Sequence, residues 1–523
     1  MFTNLNQNKM KKIFQTIQFL FISALVSGQP VLQWENRFDY QGGYDSPRVM
    51  QVDQNNNICI AGFSSNDTFK LDILTLKINS DGTTAWHNII RNDYDDVPSG
   101  LAIDNEGNCY LGGGLGDIFL DEASVTLRYN TDGAQAWIDT QGNSLECIAI
   151  DQDNNIYSVF GGSKIYIVKY DPEGNILLEF ANDTSYSGHK LNTRLFAIVD
   201  SNLYISGTYH ETGNDSKAFL KKISNQGNVL VDVKFNSASD DIDTRFMQVD
   251  ALGNVYLLGW IGFYDGLFLV KFDNIGNVVW DKIILDGSGL PYDLILDADQ
   301  NPVICGKVYE VNEITEYIIK KYDHEGNEVW TDYPGKAGPY FEEVAHLVSD
   351  ASGNIYFAAS TWPVAITEPA FLIVKYDKFG NKLWEYKEDS ILYDQNDYIA
   401  EMAFDFENNI IMALQSRDST GNKDVVTFKF SDLTGIQTPE TITPALTVSP
   451  NPFHSTATIN VVNPLFINIE STISLLDLFG REISTAAFYN SYQLNRTGIS
   501  NGMYLLKVVS GGGITTTAKV IIY

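Results

Sequence analysis

The chain has 523 residues, with 66 acidic against 35 basic side chains and a formal net charge of −31 at pH 7. This negative charge argues against nucleic acid and anionic lipid as partners, because both would be repelled. Hydrophobic residues make up 44% of the chain, which is enough to bury a sizeable core or several.

Residues 1–28 have the pattern of a secretory signal peptide. Three lysines between positions 9 and 12 precede an apolar run from Ile13 to Val26, and the small residues Ser27 and Gly28 follow. A membrane anchor would need a longer apolar run. We therefore predict that the mature chain is exported and has no transmembrane anchor.

Two motifs recur about every fifty residues between residues 29 and 438. One starts with an aspartate and leads through a turn into an apolar strand, as in Asp250–Gly259. Its copies start at Asp53, Asp104, Asp151, Asp200, Asp250, Asp297, Asp350 and Asp405. Four short apolar runs per copy, separated by Asp, Asn and Gly, predict four-stranded antiparallel units.

The second motif places an aromatic residue after a glycine turn, as in Lys271–Trp280. Tryptophan stands at this phase at positions 86, 137, 280, 330 and 384, whereas the third and fourth copies lack it. Such a unit cannot cover both of its apolar faces alone, so the units must stack, and radial stacking gives a β-propeller.

The ends of the array predict how the ring closes. Residues 31–35, which include Trp34, have the pattern of a fourth strand without a sheet, and the array ends after a third strand at Val425–Phe430. Pairing of these two strands would complete the last unit. The fold class predicted for residues 29–438 is therefore an all-β, eight-bladed β-propeller.

Residues 439–445 are predicted to be a linker, and residues 446–523 a small Ig-like β-sandwich. The fifty-residue repeat stops here, and short strands are predicted at Ala457–Val461, Thr472–Asp477, Met503–Lys507 and Thr516–Ile522.

This C-terminal part resembles the type A sorting domain of the type IX secretion system. The resemblance is carried by Pro450, Asn451, Pro452, Asp477, Gly480, Arg481, Gly502, Tyr504 and Lys519. It implies export, recognition by the type IX machinery at the outer membrane, removal of the domain, and release or surface attachment of the rest. The repeats of residues 29–438 are similar to bacterial β-propeller repeats of the SBBP kind, a resemblance that implies little about activity.

The repeated Asp turns have two interpretations. Alternating carboxylate and amide oxygens, as in Asp151–Asn155, would suit Ca²⁺. However, the twelfth position of such a calcium loop holds Gly162 or Ser64, with no carboxylate. Asp, Asn and Gly also favour tight turns for backbone reasons, and this structural interpretation is preferred.

Signatures of catalysis are weak. The glycine-to-tryptophan spacing resembles the docking motif of quinoprotein dehydrogenases, but the chain has no adjacent cysteine pair, so the tryptophans are predicted to pack one blade on the next. The six histidines never fall at a short metal-ligand spacing. Four cysteines, at positions 59, 109, 147 and 305, are predicted to be buried free thiols.

Residues that do not repeat are the better candidates for ligand binding. The loops between the fourth and first strands, and between the second and third, would share one rim, where the sequence is acidic and aromatic. The candidate ligand residues are Asp45, Asp96, Asp243, Glu342, Asp397, Tyr44, Tyr94, Tyr292, Tyr340, Tyr398 and Trp362. The structural alternative is that the carboxylates cap the first strands or solvate the rim.

The sequence therefore favours a non-catalytic, secreted or cell-surface recognition module that binds an extracellular glycan or protein, with Ca²⁺ as the candidate cofactor. The alternative is a secreted polysaccharide lyase or hydrolase, or a quinoprotein, with rim carboxylates as acid and base.

Overall fold

The computed structural model describes residues 29–65, 70–91, 94–116, 123–161, 164–182, 192–210, 216–235, 241–262, 266–284, 289–309, 315–337, 345–360, 371–388, 398–418, 420–432, 446–449, 453, 455–461, 471–476, 481–500, 502–510 and 515–522. The regular elements of these ranges are all β-strands. The chain divides into two compact units, Met1–Thr434 and Gly435–Tyr523. The predicted signal peptide and the predicted linker lie outside the described ranges.

The strands of the first unit follow one another along the chain. The first half contains β1 (Val31–Phe38), β2 (Tyr44–Val52), β3 (Ile58–Ser65), β4 (Asp72–Ile78), β5 (Thr84–Ile90), β6 (Val97–Ile103), β7 (Cys109–Gly114), β8 (Ser124–Tyr129), β9 (Gln135–Gln141), β10 (Leu145–Ile150), β11 (Ile156–Phe160), β12 (Ile165–Tyr170), β13 (Ile176–Asn182), β14 (Asn192–Val199), β15 (Asn202–His210), β16 (Ser216–Ser224) and β17 (Val229–Phe235). The second half contains β18 (Ile242–Val249), β19 (Val255–Ile261), β20 (Gly266–Phe272), β21 (Val278–Ile283), β22 (Gly289–Leu296), β23 (Pro302–Tyr309), β24 (Thr315–Tyr322), β25 (Glu328–Asp332), β26 (Lys336–Ala337), β27 (Ala345–Ser349), β28 (Ile355–Ser360), β29 (Phe371–Tyr376), β30 (Lys382–Glu388), β31 (Tyr398–Phe404), β32 (Ile410–Arg417) and β33 (Lys423–Ser431).

Within the described residues, these strands pair in chain order into antiparallel sheets of four. The sheets are β2–β5, β6–β9, β10–β13, β14–β17, β18–β21, β22–β25 and β27–β30, and the short β26 pairs with β24. A further sheet contains β31, β32 and β33 and is completed by β1 from the other end of the unit. The four-stranded composition predicted from the repeats is confirmed.

The N-terminal strand pairs where the phase of the repeat predicts. β1 runs antiparallel to β33 in a register that places Leu32 opposite Phe430 and Phe38 opposite Val425. Trp34 lies opposite Lys429, after a bulge. The free edge of β33 is thus covered by a strand from the start of the chain, which removes one site for edge-to-edge association.

The middle strands are buried on both faces. All seven residues of β4 and all seven of β20 are buried, whereas the outer strand β21 alternates between exposed and half-buried residues. Because successive side chains of a strand point to opposite faces, continuous burial means that both faces of the sheet are covered. This explains why the middle strands read as unbroken apolar runs in the sequence.

Neighbouring sheets cover these faces. One apolar cluster joins Leu258 of β19 and Leu269 of β20 to Leu294 and Ile304 of the next sheet. An equivalent cluster joins the composite sheet to the first one and contains Val425, Ile60 and Leu74. The first strand of each sheet contacts the first strand of the next, and β31 contacts β2.

An aromatic side chain of most outer strands packs against the glycine turn of the following sheet. The indole of Trp86 covers Gly133, and its Nε1 donates a hydrogen bond to the carbonyl of Thr131 at 3.0 Å. The same packing relates Trp34 to Gly82, Trp137 to Gly174, Trp280 to Gly326 and Trp330 to Gly380. The tryptophans are therefore packing residues, as the sequence predicts.

The two copies without tryptophan keep this arrangement with smaller side chains. Phe180 packs on Gly227, and Val231 and Val233 pack on Gly276. At the composite sheet, Trp384 donates a hydrogen bond from Nε1 to Oδ1 of Asp432 at 3.2 Å.

The repeated Asp turns are closed by their own hydrogen bonds. Oδ1 of Asp53 accepts from the backbone nitrogens of Asn55 and Asn57 at 2.9 and 2.8 Å, and Oδ2 accepts from the Asn57 side chain. Nζ of the buried Lys77 lies 3.2 Å from Asp53 Oδ2 and donates to the carbonyl of Gly107 in the next sheet. The turn aspartates thus hold the turn and neutralise a buried lysine, which supports the structural interpretation.

The cysteines that were predicted to be buried free thiols are free, and three of them, Cys59, Cys109 and Cys305, are buried. Cys147 is only partly buried. Cys59 and Cys109 come from neighbouring sheets and share one apolar cluster.

The second unit consists of two sheets around one core. Its strands are β34 (Leu446–Ser449), β35 (Thr456–Val461), β36 (Ser471–Leu476), β37 (Glu482–Phe488), β38 (Ser491–Asn495), β39 (Gly502–Ser510) and β40 (Thr515–Ile522). β34, β35 and β38 form one sheet, and β37, β36, β39 and β40 form the other. Ile459 of the first sheet and Leu506 of the second are fully buried in the same cluster. The sequence missed β34, β37 and β38.

The packing of Trp86 on Gly133 predicts a measurable stability cost. A Cβ at Gly133 would lie 2.7 Å from Trp86 Cγ, and the residue has a φ of +85°. We expect Gly133→Ala to lower the free energy of unfolding by about 2 kcal/mol or more, from backbone strain plus the displaced indole.

Gly421→Ala is the matched control for this variant. Gly421 has a φ of +93°, but a Cβ there would meet no atom within 4 Å. It therefore reports the backbone strain alone. Equal losses of stability in the two variants, measured by chemical denaturation, would show that the indole contact contributes nothing.

Candidate functional site

The structure describes seven of the eleven residues predicted to line the ligand rim. They are Asp45, Asp96, Asp243, Tyr44, Tyr94, Tyr292 and Tyr398. Glu342, Asp397, Tyr340 and Trp362 lie outside the described residues.

Two of the predicted rim carboxylates are fully buried at the start of their strands. Asp45 accepts a hydrogen bond from the backbone nitrogen of Tyr40 at 2.5 Å, and burial raises its pKa to about 6. Oδ1 of Asp96 accepts from the backbone nitrogen of Gly116 at 3.1 Å. These bonds are those expected of carboxylates that cap a strand, the structural alternative for these positions.

The third described carboxylate is more accessible. Oδ2 of Asp243 lies 2.9 Å from Nη2 of Arg245, and the side chain of Asp243 keeps 25% of its surface exposed. The guanidinium of Arg245 lies 3.8 Å from the ring centre of Trp260, a cation–π contact. Trp260 is thus held by an arginine of the same sheet.

The predicted rim tyrosines differ in their surroundings. Tyr94 is 54% exposed, whereas Tyr292 is buried against Tyr317. Tyr44 is half-buried and stacks on Phe63, and the hydroxyl of Tyr398 lies 2.6 Å from Oγ of Ser46. Their role as ligand-binding residues stays a prediction.

The first strands of several sheets surround a cavity of about 660 Å³. Its walls come from β2, β18, β22, β27 and β31, and Gln51, Gln248, Ser349 and Glu401 are among its polar residues. Because each wall strand belongs to a different sheet, the lining can vary while the repeated turns and packing contacts stay the same.

Three titratable side chains lie at one equivalent position on consecutive first strands. Asp293 of β22, His346 of β27 and Glu401 of β31 each stand four residues before the turn aspartate of their sheet. The same position holds Val49 in β2 and Gly100 in β6. The polar groups therefore do not belong to the repeat.

Two of these side chains connect one sheet to the next. Oδ2 of Asp293 accepts a hydrogen bond from the backbone nitrogen of Leu347 at 2.8 Å. Nε2 of His346 lies 3.3 Å from the carbonyl of Ile399, so Nε2 must carry the proton, since a carbonyl only accepts. Nδ1 of His346 is then an acceptor, 3.7 Å from Oε1 of Glu401.

Burial keeps two of these three side chains, His346 and Glu401, mostly uncharged at pH 7. Burial lowers the pKa of His346 to about 4. Burial, with the nearby Asp293 carboxylate as a second cause, raises the pKa of Glu401 to about 8. Burial likewise raises the pKa of Asp293 to about 6. At pH 7 His346 is thus neutral, Glu401 is mostly protonated, and Asp293 carries the charge.

Sequence reasoning missed Asp293, His346 and Glu401. They were not among the candidates, which came from the predicted acidic and aromatic rim. The signal was present, because a histidine and two acids replace apolar or small residues at one phase of the repeat.

A metal centre is not formed by the part of the chain that the structure describes. No group of three or more His, Cys, Asp or Glu residues in that part is arranged to hold a metal ion. Ca²⁺ as the candidate cofactor stays a prediction.

Residues 447–523 match the family model of the secretion system C-terminal sorting domain. The chain carries a type IX secretion sorting domain. This domain directs the protein to secretion and cell-surface attachment, and it implies handling by the type IX machinery. Among the described residues, no helix is long and apolar enough to cross a membrane.

Few of the predicted sorting-signal residues can be placed in the second unit. Tyr504 is buried and donates from its hydroxyl to the carbonyl of Ser500 at 2.8 Å, and Arg481 is exposed before β37. Gly502 and Lys519 lie in β39 and β40. The remaining residues, Pro450, Asn451, Pro452, Asp477 and Gly480, lie outside the described ranges.

No curated protein matches the chain. Among solved structures, it is similar to a eukaryotic initiation factor, with 10% identity, a TM-score of 0.42, and coverage of 86% of this chain and 90% of that one. It is also similar to Sqt1 from Chaetomium thermophilum, with 11% identity, a TM-score of 0.47, and coverage of 77% and 99%. An ulvan lyase from a new family of polysaccharide lyases has 11% identity, a TM-score of 0.42, and coverage of 69% and 96%.

The raised pKa of Glu401 predicts a pH dependence of stability. Its pKa rises from an ordinary 4.5 to about 8, so between these values the folded chain holds a proton that the unfolded chain releases. Stability therefore falls as pH rises through this window. Asp45 and Asp293 change stability with pH only up to about pH 6, and His346 only up to pH 6.5. Between pH 6.5 and 8, Glu401 therefore dominates the pH dependence of stability.

We expect Glu401→Gln to remove most of this fall, measured by chemical denaturation at several pH values between 6.5 and 8. Glu325→Gln, at an exposed turn residue, is the control and should leave the fall unchanged. A wild-type stability that is flat across this range would contradict the assignment.

Proposed function

We propose that residues 29–438 form a closed eight-bladed β-propeller of the SBBP kind, which serves as a secreted or cell-surface recognition module. Contacts between consecutive first strands, with β31 against β2, support the ring. The pairing of β1 with β33 and the packing of Trp34 on Gly82 support closure between the composite sheet and the first.

The ligand site of this module is the cavity between the first strands, together with the rim above it. The observation that carries the proposal is that Asp293, His346 and Glu401 break the repeat at one position of consecutive first strands, and that Glu401 lines the cavity. Side chains that are needed only for packing would repeat with the fold, as the turn aspartates and the aromatic residues on glycine do.

The size of the cavity favours a glycan over a protein as the extracellular ligand. At about 660 Å³ it lies within the range of roughly 300–1,000 Å³ that small-ligand sites occupy. A folded partner would instead need about 800 Å² of surface on each side. A stretch of a few sugar units fits a cavity of this size.

A glycan-binding screen with the mature full chain tests this proposal. We expect the wild type to bind a glycan, and Gln51→Trp to weaken binding by about tenfold or more, because Gln51 is exposed in the cavity wall and an indole there would fill the space. Gln135→Trp is the matched control, since Gln135 is exposed on the outer strand β9.

The screen also has outcomes that contradict the proposal. Equal binding by the wild type and Gln51→Trp would place the ligand elsewhere. A wild type that binds no glycan on the array would rule out the glycan-binding function.

One observation favours a second candidate, a secreted polysaccharide lyase or hydrolase. Glu401 is protonated at neutral pH beside His346 and Asp293, and a carboxylic acid with a pKa near the working pH suits proton transfer. The two candidates are separated by incubating each bound polysaccharide with the wild type. Release of new chain ends would show that the protein is a lyase or hydrolase. An unchanged polymer length would support the non-catalytic recognition module.

A further inference from the structure

Phe406 is an aromatic residue that lines the cavity and is also exposed to solvent. It keeps 65% of its surface exposed, and it shares the cavity wall with Gln51. It directly follows Asp405, the turn aspartate of the composite sheet, so the cavity extends to the end of the first strands at which the Asp turns lie. Phe406 therefore lies where the cavity opens to solvent.

The turn itself does not require a large apolar residue at this position. In the six other copies of the same length, the residue after the turn aspartate is Gln, Asn or Ala, namely Gln54, Asn105, Gln152, Ala251, Ala298 and Ala351. The backbone geometry of the turn is thus compatible with small or polar side chains. Phe406 breaks the repeat, as the other candidate ligand residues of the first strands do.

The backbone of Phe406 is held by the turn of the neighbouring sheet. Its nitrogen donates a hydrogen bond to Oδ1 of Asn56 at 2.8 Å. An equivalent bond of 3.0 Å joins the nitrogen of Ala251 to Oε1 of Gln300, which also lines the cavity. Because its turn is anchored in this way, Phe406 is positioned before a ligand binds, which lowers the entropy cost of binding.

Exposure alone does not identify a binding residue, because single apolar side chains are common on protein surfaces. Phe379, on the glycine turn between β29 and β30, is 69% exposed and lies outside the described lining of the cavity. Phe406 differs from it by its place in the cavity wall. An exposed ring and the exposed amide of Gln51 line one space that is large enough for a few sugar units.

We propose that Phe406 is a stacking platform for a sugar ring, and that the cavity takes a neutral glycan of hexoses with equatorial hydroxyls, such as a β-linked glucan. The rings of such sugars carry axial C–H groups on both faces and so present a flat apolar surface to an aromatic ring. Gln51 supplies an amide donor and acceptor for the hydroxyls at the ring edge. The net charge of −31 disfavours anionic glycans. The glycan class rests on the proposed function.

The test measures binding of cellohexaose to the mature full chain by calorimetry. We expect the wild type to bind, and Phe406→Ala to weaken binding by about tenfold or more, because it removes an aromatic anchor. Phe406→Tyr keeps the ring and should keep most of the affinity. Mannohexaose, which carries one axial hydroxyl on each ring, should bind more weakly to the wild type than cellohexaose does.

Phe379→Ala is the matched control, since it removes a ring of similar exposure from a turn outside the described cavity wall. It should bind cellohexaose as the wild type does. Thermal unfolding of each variant checks that the fold is intact.

The outcomes separate this proposal from the proposed function. Cellohexaose binding that is unchanged in Phe406→Ala but weakened in Gln51→Trp would overturn the stacking platform and leave glycan recognition in the cavity standing. Equal losses in Phe406→Ala and Phe379→Ala would also overturn the platform. Binding of mannohexaose as tight as that of cellohexaose, or of other glycans without cellohexaose, would overturn the proposed glycan class. A wild type that binds no glycan at all would overturn the proposed function together with the platform.

Discussion

The fold depends on covering both apolar faces of every four-stranded sheet. A sheet with buried middle strands such as β4 and β20 cannot stand alone, because about half of its apolar side chains point to each face. Each sheet is therefore covered by the sheets before and after it in the chain. The outer strand completes the contact by laying an aromatic side chain on the glycine of the next turn, as Trp86 does on Gly133. Glycine is required there because the turn needs a positive φ and the indole occupies the place of a Cβ.

This division of roles leaves the first strands free to vary. The turns are held by Asp–Asn hydrogen bonds and by lysines such as Lys77, and the faces are held by apolar clusters. The polar cavity residues Gln51 and Glu401 take no part in these contacts. Asp293, His346 and Glu401 differ from their counterparts in other sheets. The contacts that repeat hold the fold, and the proposed ligand site uses residues that do not repeat.

Much of the fold could be predicted from the sequence, because its determinants are local and repeat. The turn aspartates, the glycine turns and the apolar runs fix the strands, and the strand at Trp34 without a sheet of its own pointed to β33. The strands β34, β37 and β38 were missed, because the second unit has no repeat against which to compare a short strand. The tryptophans were interpreted correctly as packing residues, since a large aromatic at a fixed phase of a buried sheet is part of the core.

The candidate site was harder to predict, because it depends on contacts between sheets. Asp45 and Asp96 look like ligand carboxylates in the sequence, but their hydrogen bonds go to nearby backbone nitrogens. The closeness of His346 to Glu401 follows from the packing of different sheets, which the sequence does not mark. A comparison of every phase of the repeat would have shown the exceptional residues, although not their contacts.

The central claim is that the first and last sheets meet through the N-terminal strand. Asn36 of β1 lies opposite Thr427 of β33, so the most direct measurement is disulfide formation in a chain with Asn36→Cys and Thr427→Cys. This pairing predicts an efficient cross-link that shifts mobility on non-reducing gels and raises the unfolding temperature. A chain that folds, shows free thiols at both positions and forms no cross-link under oxidising conditions would contradict it.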